Sequence, residues 1–220
     1  MPHGYPITLC LADKLCVVVG GGNVATRKVA SLLGAGARVR VVAPWVTEEL
    51  RELAAQGTIT CDLRKACPGD LAGAFLVISA SDDAATNELV ARAGLESSQL
   101  VNVVDQPRLC NFHVPATVHR GPLSLAVSTN GTSPLLARRL REQLQELVGP
   151  EYGELAELLG RFRGELQARC PDATARARTW AALLDSPILA RLRAGQVAEA
   201  EALARAHLEA AADPPAKGEG

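Results

Sequence analysis

The chain has almost no excess of one charge. Its 220 residues include 23 Lys and Arg against 24 Asp and Glu, which gives a formal net charge of -1 at pH 7. Proteins that capture nucleic acid or an anionic membrane by electrostatics carry a basic excess or basic clusters. The balance argues against both partners, and we expect any charged ligand to be bound by local groups.

Long apolar runs are absent as well. A membrane-spanning helix needs about 20 consecutive apolar residues, and no stretch of this sequence approaches that length. The opening sequence MPHGYPITLCLADKLC has neither a basic segment nor the small-residue cleavage site of a secretory signal. The sequence therefore predicts a globular protein of the cytoplasm.

Closely paired cysteines are also missing. The six cysteines are scattered without a C-x-x-C pair, at positions 10, 16, 61, 67, 110 and 170. This spacing is typical of reduced thiols and not of a disulfide framework or a structural zinc site. Cys110 and His113 form a C-x-x-H step. Because two ligands without a second pair do not make a zinc site, ordinary packing is the favoured interpretation.

Apolar β-type runs alternate with helical patterns in the first half of the chain. Hydrophobic residues make up 48% of the sequence, enough for one well-buried domain and a smaller one. The alternation predicts an α/β fold with a Rossmann-like parallel sheet. The predicted strands are 15–19, 38–43, 58–63, 75–80 and 100–104. The predicted helices are 23–35, 46–56 and 84–94, the last capped by Asp82 or Asp83.

The pattern changes after Pro107. FHVPATVHRGPLSLAVST predicts two antiparallel strands, and Ser133 with Pro134 predicts the start of a helix that ends near Val148. Alanine, leucine, glutamate and arginine then dominate a helical region, which gives way to ADPPAKGEG. The predicted parts are a Rossmann-like domain (1–107), a small α+β module (108–150), a C-terminal helical region (151–212) and a disordered tail (213–220).

A glycine-rich turn follows the first predicted strand. Gly20, Gly22 and Ala25 form a G-x-G-x-x-A pattern there. The first glycine permits a tight turn, the second lets the backbone approach a pyrophosphate, and the alanine allows close packing of helix on strand. The N–H groups and the positive dipole end of the helix would face the phosphates. The pattern in this context predicts dinucleotide binding, with a merely structural turn as the alternative.

The acidic residue that usually holds the ribose of a dinucleotide is missing. The second predicted strand ends in Ala43, Pro44 and Trp45, where Asp or Glu would bind the ribose hydroxyls. Arg38 and Arg40 lie earlier in the strand, so neither stands at its exit to bind a 2′-phosphate. The local residues therefore leave the choice between NAD and NADP open.

Two further stretches are candidates for a site beyond the dinucleotide. Asp105 ends the fifth predicted strand, at the edge where open α/β sheets bind ligands. Its carboxylate could accept a proton, or it could cap the turn before Pro107. The stretch STNGTSP, residues 128–134, precedes a helix N-terminus and several arginines, which suits carboxylates. A capped helix with solvated arginines is the alternative there.

Six motifs occur in a fixed order along the chain: GGGNVATRK, VVAP, SASDD, NVVDQP, NFHVPA and LAVSTNGTSPLLAR. Together they resemble the siroheme synthase family, in particular its precorrin-2 dehydrogenase and sirohydrochlorin ferrochelatase module. The resemblance covers about residues 5–150 closely and the helical region more loosely. It does not extend to the methyltransferase domain that some relatives carry.

The resemblance implies NAD as the cofactor, because family members bind it without an acidic ribose ligand. By match to the family's motifs, Asn23 and Val24 line the nucleotide. Pro44 and Trp45 lie near the adenosine, and Asp105 matches the family's essential aspartate. The candidate substrate-binding residues are Asn102, Arg120, Ser128, Thr129, Asn130, Gly131 and Arg138. Some relatives have two serines and two glycines at 128–131, so a serine modification does not transfer to Thr129.

The implied reaction removes a hydride and a proton from precorrin-2 and gives sirohydrochlorin and NADH, a step toward siroheme or cobalamin. The family's ferrochelatase activity would add ferrous iron as a second substrate. The antiparallel strands and the apolar helix faces of the module at 108–150 would leave edges and apolar surface open in a monomer, which predicts a homodimer built from this module. The resemblance implies a dimer as well. The alternative function is an NAD(H)-sensing regulatory domain. The motif series beyond Asp105 favours the enzyme.

Overall fold

The computed structural model describes residues 4–212, and the tail predicted to be disordered, 213–220, lies outside the described residues. The chain forms two compact units. The first consists of residues up to 114 together with 130–132, and the second of 115–129 and the residues from 133 onward. The predicted division into four parts stays a prediction beside these two units.

A sheet of five parallel strands forms the centre of the first unit, in the order β3-β2-β1-β4-β5. This order confirms the predicted Rossmann-like fold, and it reverses between β1 and β4. Open α/β sheets bind their ligands at such a reversal, outside the carboxyl ends of the strands. The strands are β1 Leu15–Val19, β2 Arg38–Val42, β3 Ile59–Asp62, β4 Leu76–Ser79 and β5 Leu100–Val103.

Three helices follow strands of this sheet: α1 Asn23–Gly34, α2 Glu48–Ala55 and α3 Ala84–Glu96. Thr47 caps α2 by accepting the Leu50 N–H. Asp83, and not Asp82, caps α3 by accepting the Ala85 N–H. Short 3₁₀ turns at Pro68–Leu71 and Pro107–Leu109 complete the connections. The alternation of strand and helix that the sequence predicted is therefore present.

Both faces of the sheet are buried. Successive strand residues point to opposite sides of a sheet, and in β1 they belong to two different apolar clusters. Cys16 and Val18 of β1 belong to one apolar cluster with Val29 of α1. Val17 and Val19 of the same strand belong to the other cluster. The runs of apolar residues in β1 and β4 are typical of strands covered on both faces.

Arg40 of β2 interrupts this apolar pattern and is held in a charge cluster. Its guanidinium lies 2.6 Å from the Asp62 carboxylate and 3.3 Å from that of Asp70. Asp70 is 2% exposed and also pairs with Arg64. Hydrogen bonds from Arg64 hold the pKa of the Asp70 carboxyl well below its ordinary value of 3.8.

Replacing Asp70 by Asn is expected to lower the free energy of unfolding at neutral pH by about 2–3 kcal/mol. That is below the usual cost of breaking a fully buried pair, about 3–5 kcal/mol, because Arg64 is half-exposed. Since folding lowers this pKa, the ionised carboxyl stabilises the fold above about pH 4, and this contribution is lost as the pH falls further. Denaturant titrations at pH values from about 5 to 3 should therefore show that the free energy of unfolding declines less steeply in the variant than in the wild type. Asp82→Asn, an exposed control, should leave the decline as in the wild type.

The second unit begins with an antiparallel pair, β6 Ala116–Arg120 and β7 Leu123–Val127, as the sequence predicted. Five helices follow: α4 Pro134–Leu147, α5 Glu151–Arg169, α6 Ala173–Leu184, α7 Ile188–Arg193 and α8 Val197–Ala212. The hairpin packs closely on α5, because a Cβ at Gly153 would lie 2.7 Å from the carbonyl carbon of Arg120. Among residues 4–212, none of the helices has the length and apolar character needed to cross a membrane.

Candidate functional site

The carboxyl edge of the sheet brings the first group of predicted site residues together. The register pairs Val19 of β1 with Ser79 of β4, and Ser79 with Val103 of β5. The residues that follow these strands therefore leave the sheet at the same level. The glycine turn after β1 and Asp105 after β5 flank the β4 exit on either side, at the reversal of strand order.

Gly20 has the backbone conformation that its place in the pattern predicts. Its φ is +120°, and a Cβ there would lie 2.3 Å from the carbonyl oxygen of Ala80. Its N–H donates to the Val42 carbonyl at the end of β2. Only glycine combines this φ with so close an approach of two backbones, so Gly20 joins the ends of β1, β2 and β4.

Gly21 is equally restricted, although the predicted pattern treats it as a free position. A Cβ at this residue would lie 1.9 Å from the carbonyl oxygen of Trp45. The Gly21 carbonyl also accepts the Thr47 N–H at 2.9 Å. The run of three glycines was the available signal, since the G-x-G-x-x-A pattern explains only two of them.

Gly22 differs from both neighbours because the protein itself does not require glycine there. Its φ of -83° suits any residue, and a Cβ would meet only the indole Cη2 of Trp45, at 3.6 Å. Gly22 is also the N-cap of α1, which has no side-chain cap and no acidic residue in its first turn. The missing side chain leaves space beside an uncapped helix N-terminus, which is the arrangement that binds a pyrophosphate.

Other helices that begin near sequence-predicted site residues lack this property. Thr47 caps α2, Asp83 caps α3 and Ser133 caps α4, each with a side-chain oxygen on a backbone N–H. An anion at those positions would compete with the protein's own acceptor. Among these four helices, α1 is the one whose terminal N–H groups face no side-chain acceptor, and its residues fit a dinucleotide phosphate.

Thr26, which the sequence did not single out, fixes the glycine turn. It is 7% exposed, its hydroxyl lies 2.8 Å from that of Thr47, and it donates to the Gly22 carbonyl at 3.2 Å. The hydroxyl pair thereby links the first turn of α1 to the N-cap of α2. Ala25 beside it is fully buried, as close packing of α1 on the sheet requires.

The residues predicted to line the nucleotide lie around this turn. Asn23 is exposed in the first turn of α1, and Val24 is half-buried. Pro44 is exposed after β2, and Trp45 is 63% exposed. An exposed indole beside Gly22 offers an apolar surface to a nucleotide, while no carboxylate follows β2 directly.

Two buried polar side chains shape the β4 exit, and the sequence reasoning missed both. The Ser79 hydroxyl donates to Oδ1 of Asn87 at 2.7 Å, and Nδ2 of Asn87 donates to the Ser81 carbonyl at 2.9 Å. Both residues are buried. They hold the turn that carries Ala80 against Gly20. Asn87 follows the SASDD motif by four residues, which was the only signal of this role.

Asp105 sits in a left-handed turn directly after β5. Its φ is +59°, its side chain is exposed, and its carboxylate has no hydrogen-bond or ion-pair partner among the described residues. The turn is closed by backbone instead, with the Gln106 N–H donating to the Val103 carbonyl at 3.2 Å. The turn-capping alternative for Asp105 therefore has no hydrogen bond to support it, and the carboxylate is available to a ligand.

The loop after Asp105 is fastened to β5 by side chains. Nδ2 of Asn102 donates to the Phe112 carbonyl at 3.0 Å, and Oδ1 of Asn111 accepts the Val101 N–H at 2.7 Å. The Cys110 sulfur accepts the Val103 N–H at 3.1 Å. Asn102, a predicted substrate residue, therefore has a structural partner in the loop. Cys110 helps to hold the loop on β5, as the packing interpretation of this cysteine predicted. Within the described part of the chain, no three His, Cys, Asp or Glu side chains cluster as metal ligands.

The predicted substrate residues of the second unit are largely engaged with its own backbone. The Thr129 hydroxyl accepts the Ser133 N–H and donates to the Ser133 carbonyl, each at 3.1 Å. Arg120 donates from Nε to the Val148 carbonyl and from Nη2 to the Gln145 carbonyl. A guanidinium on the last carbonyls of α4 caps that helix, so this geometry gives Arg120 a structural role, and its contact with substrate stays a prediction.

The remaining predicted substrate residues lie on the surface. Arg138 is exposed and pairs with Glu142 one helical turn away at 3.0 Å. Ser128 is exposed at the end of β7. Asn130 and Gly131 have φ values of +51° and +77° and form the left-handed part of the turn. Both belong to the first unit by their contacts, whereas Ser128 and Arg138 belong to the second.

Comparison with known proteins matches three families along the chain. Residues 7–116 match the family described as "Putative NAD(P)-binding". Residues 120–147 match the family described as "Sirohaem biosynthesis protein central", and residues 151–208 match "Sirohaem synthase dimerisation region". The three matches follow one another along the chain. The first of them includes all five strands of the parallel sheet and the helices α1 to α3.

The most similar curated relatives include two siroheme synthases. The one from Nitrosococcus oceani is 42% identical over 93% of this chain, and the one from Pseudomonas aeruginosa is 44% identical over 92%. The chain spans about 44% of the length of each. Among solved structures, "SirC, precorrin-2 dehydrogenase" is 30% identical and has a TM-score of 0.77, covering 92% of this chain and 100% of that one.

Proposed function

Because the chain belongs to the siroheme synthase family, we propose that it catalyses the NAD-dependent dehydrogenation of precorrin-2 to sirohydrochlorin. The observation that carries the proposal is the open space at Gly22 beside the uncapped start of α1. Asp105, with a carboxylate unpartnered in the described chain, lies in the turn that follows β5 at the same edge of the sheet. The structural relative is itself named as a precorrin-2 dehydrogenase.

The reaction divides the loss of two hydrogens between cofactor and protein. NAD, when bound, accepts one hydrogen of precorrin-2 as a hydride. The second leaves as a proton, and the Asp105 carboxylate is the group that we assign to take it. The chain's other contribution is positioning, because the glycine turn, Thr26 and the β4 exit fix the cofactor site on rigid elements. The product gains conjugation, which drives the reaction.

We propose NAD over NADP as the cofactor because the nearby arginines are already paired. Arg40 is bound to Asp62 and Asp70, and Arg64 is bound to Asp70. Arg38 lies at the opposite, amino-terminal end of β2. A 2′-phosphate would therefore find no unpaired arginine at the carboxyl end of β2 or directly after β3. Calorimetric titration should show tighter binding of NAD than of NADP, and equal affinities would contradict the assignment.

The turnover assay offers the purified chain precorrin-2 with NAD and follows NADH by absorbance. We expect NADH to form only when both substrates are present. An NAD(H)-sensing domain, the alternative function, would bind NAD and leave precorrin-2 unchanged. That result would reject the dehydrogenase while keeping the cofactor site.

Metal insertion into sirohydrochlorin is a second activity that we propose for the same site. Two pyrrole N–H protons must leave as ferrous iron enters, and Asp105 offers the same proton acceptor for both reactions. We expect the macrocycle nitrogens to ligate the iron substrate. The assay offers the chain sirohydrochlorin with ferrous iron under reducing conditions like those of the cytoplasm, which suit its six free cysteines. We expect siroheme to form. Unchanged sirohydrochlorin would restrict the chain to dehydrogenation.

A homodimer is proposed from an apolar face of the second unit. Leu136, Leu140 and Leu147 of α4 are exposed and lie on one side of the helix, and the dimerisation-region match follows directly after it. Light scattering at micromolar concentration should give twice the chain mass. Leu140→Glu should weaken dimerisation about tenfold or more, because it buries a charge in the interface. Leu95→Glu, an equally exposed leucine on α3, should leave the mass unchanged, and a monomeric wild type would contradict the dimer.

A further inference from the structure

Lys28 of α1 is a half-buried cation whose function the dehydrogenase proposal does not use. It shares one side of α1 with the buried residues Ala25 and Leu32, three residues before it and four residues after it. Its ammonium group makes no hydrogen bond or ion pair with any residue in the range 4–212. A cation that has lost part of its hydration without gaining a partner is unfavourable, and such groups usually pair or bind an anion.

The charged groups around Lys28 indicate where such an anion would bind. Burial is the main cause that lowers the pKa of Lys28, and Arg27 on the same helix lowers it further. Asp105 acts in the opposite sense, which places Lys28 within the electrostatic field of that carboxylate. An exposed cation, Arg27, and an exposed anion, Asp105, are the charged groups that act on it.

The position of Lys28 separates it from the phosphate-binding end of α1. It lies six residues after Gly22, which is about 9 Å along the helix axis at 1.5 Å per residue. The terminal N–H groups of α1 already provide donors for a pyrophosphate. The anion that Lys28 binds is therefore assigned to the other ligand of this edge, which carries several carboxylates and must reach Asp105.

We propose that Lys28 binds a carboxylate of the tetrapyrrole substrate and so positions the macrocycle beside Asp105. This inference rests on the proposed function, because it takes precorrin-2 as the substrate. Lys28 acts as a positioning residue and takes no proton in the reaction. The carboxylate gives the ammonium the partner that it lacks, and the pair fixes one edge of the macrocycle relative to the carboxylate that accepts the proton.

Three variants test the assignment: Lys28→Met, Lys28→Arg and, as the matched control, Arg27→Met. Binding of sirohydrochlorin and of NAD is measured by separate titrations, and KM and kcat for precorrin-2 are measured with NAD saturating. Lys28→Met should weaken sirohydrochlorin binding and raise KM about tenfold or more, with the affinity for NAD and the melting temperature unchanged. Lys28→Arg should restore most of the binding, and Arg27→Met should resemble the wild type. A methyl ester of sirohydrochlorin should bind the wild type and Lys28→Met alike.

The outcomes separate this inference from the proposed function. Equal sirohydrochlorin affinity in the wild type and Lys28→Met would overturn the role of Lys28 even if the wild type turns over precorrin-2. A loss of NAD affinity as large as the loss for sirohydrochlorin would also overturn it, because Lys28 would then bind the dinucleotide phosphate. A wild type that binds sirohydrochlorin in a Lys28-dependent way but forms no NADH would reject the dehydrogenase and keep the carboxylate site.

Discussion

Replacing Asp105 by Asn is expected to slow NADH formation from precorrin-2 about 10²–10⁴-fold, the usual effect of losing a general base. The amide cannot accept the proton that leaves with the hydride. Asn is the sharpest replacement because, like Asp, it tolerates the left-handed conformation at φ +59°. Titration of NAD and thermal melting should therefore match the wild type, so that the loss falls on the chemical step.

Two further variants make the result specific to the carboxylate. Asp105→Ala should lose the same activity and also some stability, because alanine fits the left-handed turn less well. His113→Ala, an exposed residue of the following loop, should have much less effect on the rate. Full activity in Asp105→Asn combined with a lower melting temperature in Asp105→Ala would mean that Asp105 serves the turn and not the reaction.

Replacing Gly22 by Asp is expected to weaken NAD binding at least about tenfold, equal to about 1.4 kcal/mol. The carboxylate would fill the space beside the uncapped N-terminus of α1 and repel the pyrophosphate. Its backbone is not strained by the change, because φ at Gly22 is -83° and a Cβ meets only Trp45 at 3.6 Å. An aspartate at an N-cap is even favourable for the helix. Calorimetry should therefore show lost affinity in a protein at least as stable as the wild type.

Gly21 supplies the matched control for that experiment. Its Cβ would lie 1.9 Å from the Trp45 carbonyl oxygen, so Gly21→Ala should cost about 1–3 kcal/mol of stability through overpacking. Gly22→Ala should lose only part of the affinity and less than about 1 kcal/mol of stability, the cost of alanine as a poorer N-cap. NAD binding that is unchanged in Gly22→Asp would show that the pyrophosphate does not sit at this turn.

The sheet could be predicted from the sequence because each strand is a short apolar run bounded by turns. LCVVV, LVIS and LVNV lie within the predicted limits, with ends that differ by at most one residue. Helix starts were predictable where a side chain caps them, as Asp83 and Ser133 do. Gly20 and Ala25 were predictable because a fixed pattern assigns each a steric role.

Contacts between distant segments could not be predicted in the same way. The restriction at Gly21 comes from Trp45, and the partner of Thr26 is Thr47, some twenty residues away. Arg120 was predicted to bind substrate because it is a cation in the right module. That role stays a prediction. The cap that its guanidinium forms on α4 could not be predicted, because the sequence does not show which acceptor a charged side chain will meet.

The central claim is tested most directly by measuring, in one reaction, how much sirohydrochlorin and how much NADH the wild-type chain forms from precorrin-2 and NAD. We predict that both products appear together in equal amounts, that neither appears without NAD, and that both rates fall by the same factor in Asp105→Asn. Sirohydrochlorin formed without NADH, or firm NAD binding with no product of either kind, would contradict the assignment of this chain as an NAD-dependent precorrin-2 dehydrogenase.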